Sequence, residues 1–256
     1  MPGPRRLAIA LLLVVTLVAA GCLGSLGDDG TADAAEIKAA SLEAIESVDS
    51  HAFEMELEQD LGALEATLTI DGQSDVRANR SSMTMSVPEL EMPETEVIVV
   101  ENRTYQQMPQ TDDWVVTETE EFEFDRQELD GMAEVIDDAE ASLDGTDEVD
   151  GHEVHVLNLD LDEESYSSIL EGGLADDDVE MELDEIDVVQ YVDVDSDLVR
   201  RMEMDYSGSM TGTGGSTQPF EATLTTTYDD FGESFDIEAP EDAIPADEYD
   251  GPTQPL

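Results

Sequence analysis

The sequence predicts an α+β fold: a curved antiparallel sheet, an incomplete β-barrel, with helices packed on its concave face. Three observations lead there. Most apolar residues alternate with acids over five to eight positions, the period of a half-buried strand. Most of these stretches are joined by short turns, which favours antiparallel neighbours. A few segments instead repeat apolar residues every three or four positions, the period of an amphipathic helix. Many strands with one apolar face and few helices to cover them require a sheet that curves around its own core.

The elements follow in order. Ile37, Ser41, Ala44, Ile45 and Val48 lie on one face of a helix. Phe53, Met55 and Leu57 alternate with glutamates, and Leu64, Ala66, Leu68 and Ile70 repeat the pattern before Asp71-Gly72, a turn signal. Met83, Met85 and Val87 form a strand stopped by Pro88. Val97–Val100 and Tyr105–Met108 form a hairpin around Glu101-Asn102-Arg103-Thr104, and Trp114–Val116 adds another strand. Leu129, Met132, Ile136, Ala139 and Leu143 predict a second helix, and Tyr166, Ile169 and Leu170 a short third one. Asp150-Gly151 is a turn before the strand Val154–Leu159. Val179, Met181 and Leu183 alternate, and Val188–Val194 and Leu198–Met204 flank a turn at Asp195–Asp197. Gly208–Gln218 reads as a loop and Phe220–Tyr228 as the closing strand.

The N-terminus reads as an export leader. Arg5 and Arg6 precede the apolar run Leu7–Ala20, which is short for a membrane span, and Ala19-Ala20-Gly21 leads into Cys22. Cys22 is the single cysteine, which excludes a disulfide within the chain. Because Ala19-Ala20-Gly21-Cys22 resembles the lipobox of lipoproteins, the expected organisation is a signal peptide over 1–21, a lipidated Cys22 with a flexible tether to 33, one domain over 34–240, and an acidic Pro-rich tail over 241–256. Two lipid chains at Cys22 suffice as an anchor at about 0.8 kcal/mol per buried CH₂. The expected location is the outer face of the cytoplasmic membrane.

The formal net charge is -57, from 66 acids and 9 bases, and loss of Arg5 and Arg6 with the leader makes it two units more negative. The acids are interleaved with apolar residues along the whole chain, so they belong to solvent faces of folded strands and not to a disordered tail. Such a charge suits concentrated brine, where the Debye length falls to ~3 Å. Nucleic acid is excluded as a partner, since no basic patch exists.

Ala19-Ala20-Gly21-Cys22 resembles a lipobox, whose cysteine carries a lipid thioether. The order helix, hairpin strands, then a strand with Tyr105 and Gln107 leading to Trp114 resembles the lipoprotein-carrier superfamily of LolA, LolB and LppX. So do the turn and strand Val149–Leu157, and the aspartate-rich turn Asp193, Asp195, Asp197 before Leu198 and Arg200. The resemblance covers about residues 34–240 and, with the charge, suggests a lipoprotein of a salt-loving archaeon. It implies an incomplete barrel lidded by helices, with acyl chains or lipidated peptides held inside. A role in sorting to an outer membrane is not carried over.

Catalytic patterns fail. Lys38 follows Ile37 and not a P-loop glycine, and no Gly-x-Ser-x-Gly elbow exists. His152 and His155 are three apart on a strand and point to opposite faces, so no zinc site is expected. The series Asp193, Asp195, Asp197 continues with Leu198 where a calcium loop needs glycine. No catalytic residue, metal or cofactor is expected. Asn79 and Asn102 begin glycosylation sequons. Eleven methionines stand against six phenylalanines, and methionine suits adaptable apolar surfaces. Met55, Met83, Met85, Met202 and Met204, with Met132 of the second helix, are the candidate lining of an apolar cavity. The function expected is a membrane-anchored carrier of a lipid or other apolar ligand, and the alternative a ligand-free envelope scaffold.

Overall fold

Alternation at period two carries through the chain almost without interruption, and the result is one long sheet. The structure is a computed structural model that describes residues 33–251 apart from 61–64, 91–92, 119–131, 134–135, 138, 162–179 and 212–216. The folded unit begins at Ala34. Its strands are β1 (Ser50–Asp60), β2 (Glu65–Asp75), β3 (Arg80–Ser86), β4 (Thr95–Val100), β5 (Arg103–Gln107), β6 (Trp114–Glu118), β7 (Glu140–Val149), β8 (His152–Asp160), β9 (Glu180–Asp193), β10 (Val199–Thr211), β11 (Thr217–Asp229) and β12 (Ile244–Pro245). They lie in the order β12-β6-β5-β4-β3-β2-β1-β11-β10-β9-β8-β7. The sheet is thus two meanders joined where β11 pairs antiparallel with β1. It is a large, curved, open antiparallel sheet, with β12 alone parallel to its neighbour.

Helix α1 (Ala34–Glu46) follows Asp33 at the N-cap position and buries Ile37, Ser41 and Ile45. It ends in a tightened turn, Ser47 and Val48 donating to Ala44 and Ile45. Its lysine, Lys38, donates to the carbonyls of Asp137 and Ala139 at 2.8 and 2.7 Å. That places a cation at the C-terminal end of the helical piece Ile136–Asp137, where exposed carbonyls favour it.

One apolar cluster spans the sheet, from Phe53, Met83 and Val97 through Met202, Tyr206 and Tyr228 to Val188, Leu157 and Leu159, with Ile37 and Ile45 of α1 and Met132 and Ile136 of the crossover. A smaller cluster on β4–β6 joins Ile98 and Tyr105 to Ile237 of the C-terminal segment.

Several sequence expectations need correction. Asp71-Gly72 is not a turn but lies inside β2. Leu143 is on β7, not on the second helix, which is seen here at Met132–Ala133 and Ile136–Asp137. The loop expected over Gly208–Gln218 is mostly strand, since β10 runs to Thr211 and β11 starts at Thr217. There Gly208 is needed for close approach, as a Cβ would meet the Glu182 backbone across the β9–β10 bulge. The tail expected from 241 contributes β12, and Ala246 donates to Val116 at 3.0 Å. The helix at Tyr166–Leu170 and the leader with Cys22 lie outside the described residues. A lid of several helices is therefore not established; α1 is the helix described in full.

Candidate functional site: the inner face of the sheet

Strand register places the candidate residues. Side chains repeat every two positions, so the cross-strand pairs of one phase form rows on one face. One row is Tyr228, Phe53, Gly72, Met83 and Val97 on β11, β1, β2, β3 and β4. The next is Met202, Thr226, Met55, Ile70 and Met85. The third is Met204, Leu224, Leu57 and Leu68. The five strand methionines expected to share a face therefore do so, within three adjacent rows.

Their burial divides them. Met83, Met202 and Met132 are buried in the large cluster, and Met85 and Met204 pack half-buried against it. Met55 is half-buried, as are Leu57, Leu68, Ile70 and Leu224 beside it. The middle of the inner face is thus a contiguous apolar patch that the described residues cover only in part. Across the sheet, Gln190 of β9 pairs with Leu157 and Met202 and donates to Ser41 of α1 at 3.4 Å, which places α1 over that half of the same face.

A row on the other side of Phe53 escaped sequence reasoning. His51 pairs with Ser74 and Ser74 with Ser81, at 0%, 1% and 1% exposure. Phase could have found it: His51 stands two before Phe53, Ser74 four after Ile70, and Ser81 two before Met83. The His51 ring is flanked by Phe53, Tyr228 and Phe231, with centroids 5.9, 5.9 and 6.4 Å away. Burial lowers its pKa to about 4, so the imidazole is neutral at neutral pH.

The other candidates are scattered. Asn79 and Asn102 are exposed in the turns after β2 and β4, and Asn79 Nδ2 donates to Glu101 at 2.9 Å. His152 and His155 sit three apart on β8, and His152 Nδ1 lies 3.0 Å from Asp193. Among the described residues, no group of three or more His, Cys, Asp or Glu is arranged to hold a metal ion. A groove of about 610 Å³ is polar, with Glu58, Asp60, Glu65, Asp187, Asp205 and Glu221 in its lining, and does not suit an apolar ligand. No helix among the described residues is long and apolar enough to cross a membrane.

The model of a family of unknown function, DUF6612, matches residues 33–248. The chain belongs to that family. This DUF6612 domain is similar in structure to the lipoprotein LppX of Mycobacterium tuberculosis, at 13% identity and a TM-score of 0.54 over 80% of this chain and 99% of that one. It is also similar to LprF of Mycobacterium bovis, at 14% identity and a TM-score of 0.58 over 81% and 96%. At such identities the likeness is one of fold alone. No curated protein matches the sequence.

Proposed function

We propose that this DUF6612 protein is an exported, lipid-anchored carrier that holds a lipid chain or similar apolar ligand on the inner face of its sheet. The observation that carries this is the half-buried patch of Met55, Leu57, Ile70, Met85, Met204 and Leu224 inside a curved, open sheet. An apolar surface that the described residues leave partly uncovered suits a binding region, and flexible methionines let it adapt to chains of different shape. The fold shared with the lipoprotein LppX agrees with the leader and Cys22, which would tether the domain at the outer face of the cytoplasmic membrane. The patch residues supply packing, so the proposed role is binding. The charge fits work in brine, as in a salt-loving archaeon.

The second reading, a ligand-free envelope scaffold, is favoured by the burial of Met83, Met132 and Met202, which fill part of the face themselves. One experiment separates the two. Protein isolated from its own membranes in molar salt is extracted with organic solvent, and the extract is measured by mass spectrometry. A carrier yields about one equivalent of lipid beyond the Cys22 anchor. A lipid-free protein that also fails to bind a hydrophobic dye is a scaffold.

A further inference from the structure

His51, Ser74 and Ser81 form a polar row inside an apolar core, and no described residue hydrogen-bonds to its side-chain polar atoms. Among the described residues, both ring nitrogens of His51 and both serine hydroxyls are buried without a hydrogen-bond partner. Each such group costs about 1–3 kcal/mol, and native proteins pair nearly all of them. The three residues that carry these four atoms occupy paired register positions on three neighbouring strands, on one face of the sheet, where strands lie about 5 Å apart. They make one site. A neutral imidazole and two hydroxyls offer both donors and acceptors and no charge. The Arg200 guanidinium lies over the Phe231 ring, 5.3 Å from its centroid, and is already engaged by Asp193 at 3.1 Å.

A single row, that of Phe53 and Gly72, lies between the polar row and the apolar patch on β1 and β2. Along the inner face of β2 come Ser74, Gly72 and Ile70, and Gly72 has no side chain. The Phe53 ring lies in the space its Cβ would fill. Along β1 and β2, Phe53 is therefore the side chain that separates the polar row from Met55 and Ile70. A rotation of that one ring would open a strip of bare backbone between the two.

We infer that the ligand of this face is a neutral amphiphile, whose hydroxyl, ether or ester head hydrogen-bonds to His51, Ser74 and Ser81 while its hydrocarbon chain crosses Gly72 onto Met55, Ile70 and Met85. This rests on the carrier reading above and narrows its ligand class. An anionic head is disfavoured, because the nearby Arg200 is already paired with Asp193, and a buried charge without a free cation costs more than the hydrogen bonds return.

The test uses the full chain in molar potassium chloride, with diphenylhexatriene as a fluorescent hydrocarbon probe. The competitors are hexadecanol and, at alkaline pH where the acid is ionised, palmitate. Hexadecanol should displace the probe at about tenfold lower concentration than palmitate, the worth of one or two hydrogen bonds. The double variant Ser74→Ala, Ser81→Ala should lose that preference and melt no lower than the parent, since it removes two unpaired groups. Probe binding without a preference for the alcohol, or a preference that survives the double variant, overturns the inference and leaves the carrier reading standing. A lower melting temperature for the double variant also overturns it, because the hydroxyls would then be paired within the fold by water. Failure of the parent protein to bind the probe removes the carrier reading and this inference together.

Discussion

Phe53 of β1 and Gly72 of β2 face each other in register, and the phenyl ring occupies the space where a side chain on residue 72 would stand. The glycine is there so that the ring can lie flat on the strand. Gly72→Ala should force Phe53 out of place at a cost of about 1–3 kcal/mol, seen as a lower melting temperature in molar salt. Phe53→Leu in the Gly72→Ala background should recover part of that loss, and a purely additive double variant would show that the two residues are not coupled.

Asp193 ties down the turn between β9 and β10. It is 3% exposed; one oxygen accepts from the Asp195 and Ser196 amides at 3.0 and 2.9 Å, and the other from Arg200 Nε at 3.1 Å. Burial alone would raise its pKa, but the bonds from Ser196, Asp195 and Arg200 outweigh it and hold the carboxyl below its ordinary value. Asp193→Ala should destabilise by about 3 kcal/mol, because it strands Arg200 as well as the turn amides. Asp193→Asn keeps an acceptor for the turn and should cost about half as much. Chemical denaturation of the two variants measures the difference.

The pH profile separates His51 from Asp193. The folded-state pKa of His51 is lowered from 6.5 to about 4, so below 6.5 the unfolded chain binds the proton first. Stability should therefore fall as pH drops from 6.5 towards 4, and this slope should vanish in His51→Phe. The Asp193 contribution is lost only at lower pH, as its depressed carboxyl protonates. Denaturant midpoints taken stepwise between neutral pH and about pH 4.5 test the first window. A slope unchanged in His51→Phe would assign the effect to another group.

Like charges face each other directly across strands: Asp60 opposite Glu65 and Glu221, and Asp205 opposite Asp187. Such pairs destabilise a sheet unless screened. Dilution from molar salt to ~0.1 M, where the Debye length grows to ~10 Å, should lower the melting temperature and finally unfold the domain. Sucrose should not substitute for salt. A circular dichroism melt indifferent to salt would remove brine adaptation as the reason for the acids.

Cys22→Ser should move the protein from the membrane fraction to the medium or leave an uncleaved precursor. Mature-size protein that stays on membranes through a high-salt wash would show that the anchor is not a lipid on this cysteine.

Two Asp-Gly pairs show how far local reading reaches. Asp150-Gly151 forms the β7–β8 turn with φ of 51° and 85°, the left-handed pair that a two-residue hairpin needs. Asp71-Gly72 carries the same local signal and is strand, because Phe53 requires a bare position opposite it. The composition of the dipeptide is the same; the partner differs.

The alternation of Phe53, Met55 and Leu57 with glutamates, or of Met202 and Met204 with Glu203, settles by itself that these are strands and which side chains share a face. That is a property of the pleat and needs no partner. The 3.6-residue spacing of Ile37, Ser41 and Ile45 likewise suffices for α1. What only tertiary structure decided is which strands meet. The pairing of β11 with β1 joins residues more than 150 positions apart in the chain, and it brings Met202 and Met204 beside Met55 and Leu57. The same long-range register turns His51, Ser74 and Ser81, unremarkable one at a time, into a single buried row. Periodicity is written locally because it follows from backbone geometry. Adjacency across a sheet is not, because it depends on how whole faces fit against one another.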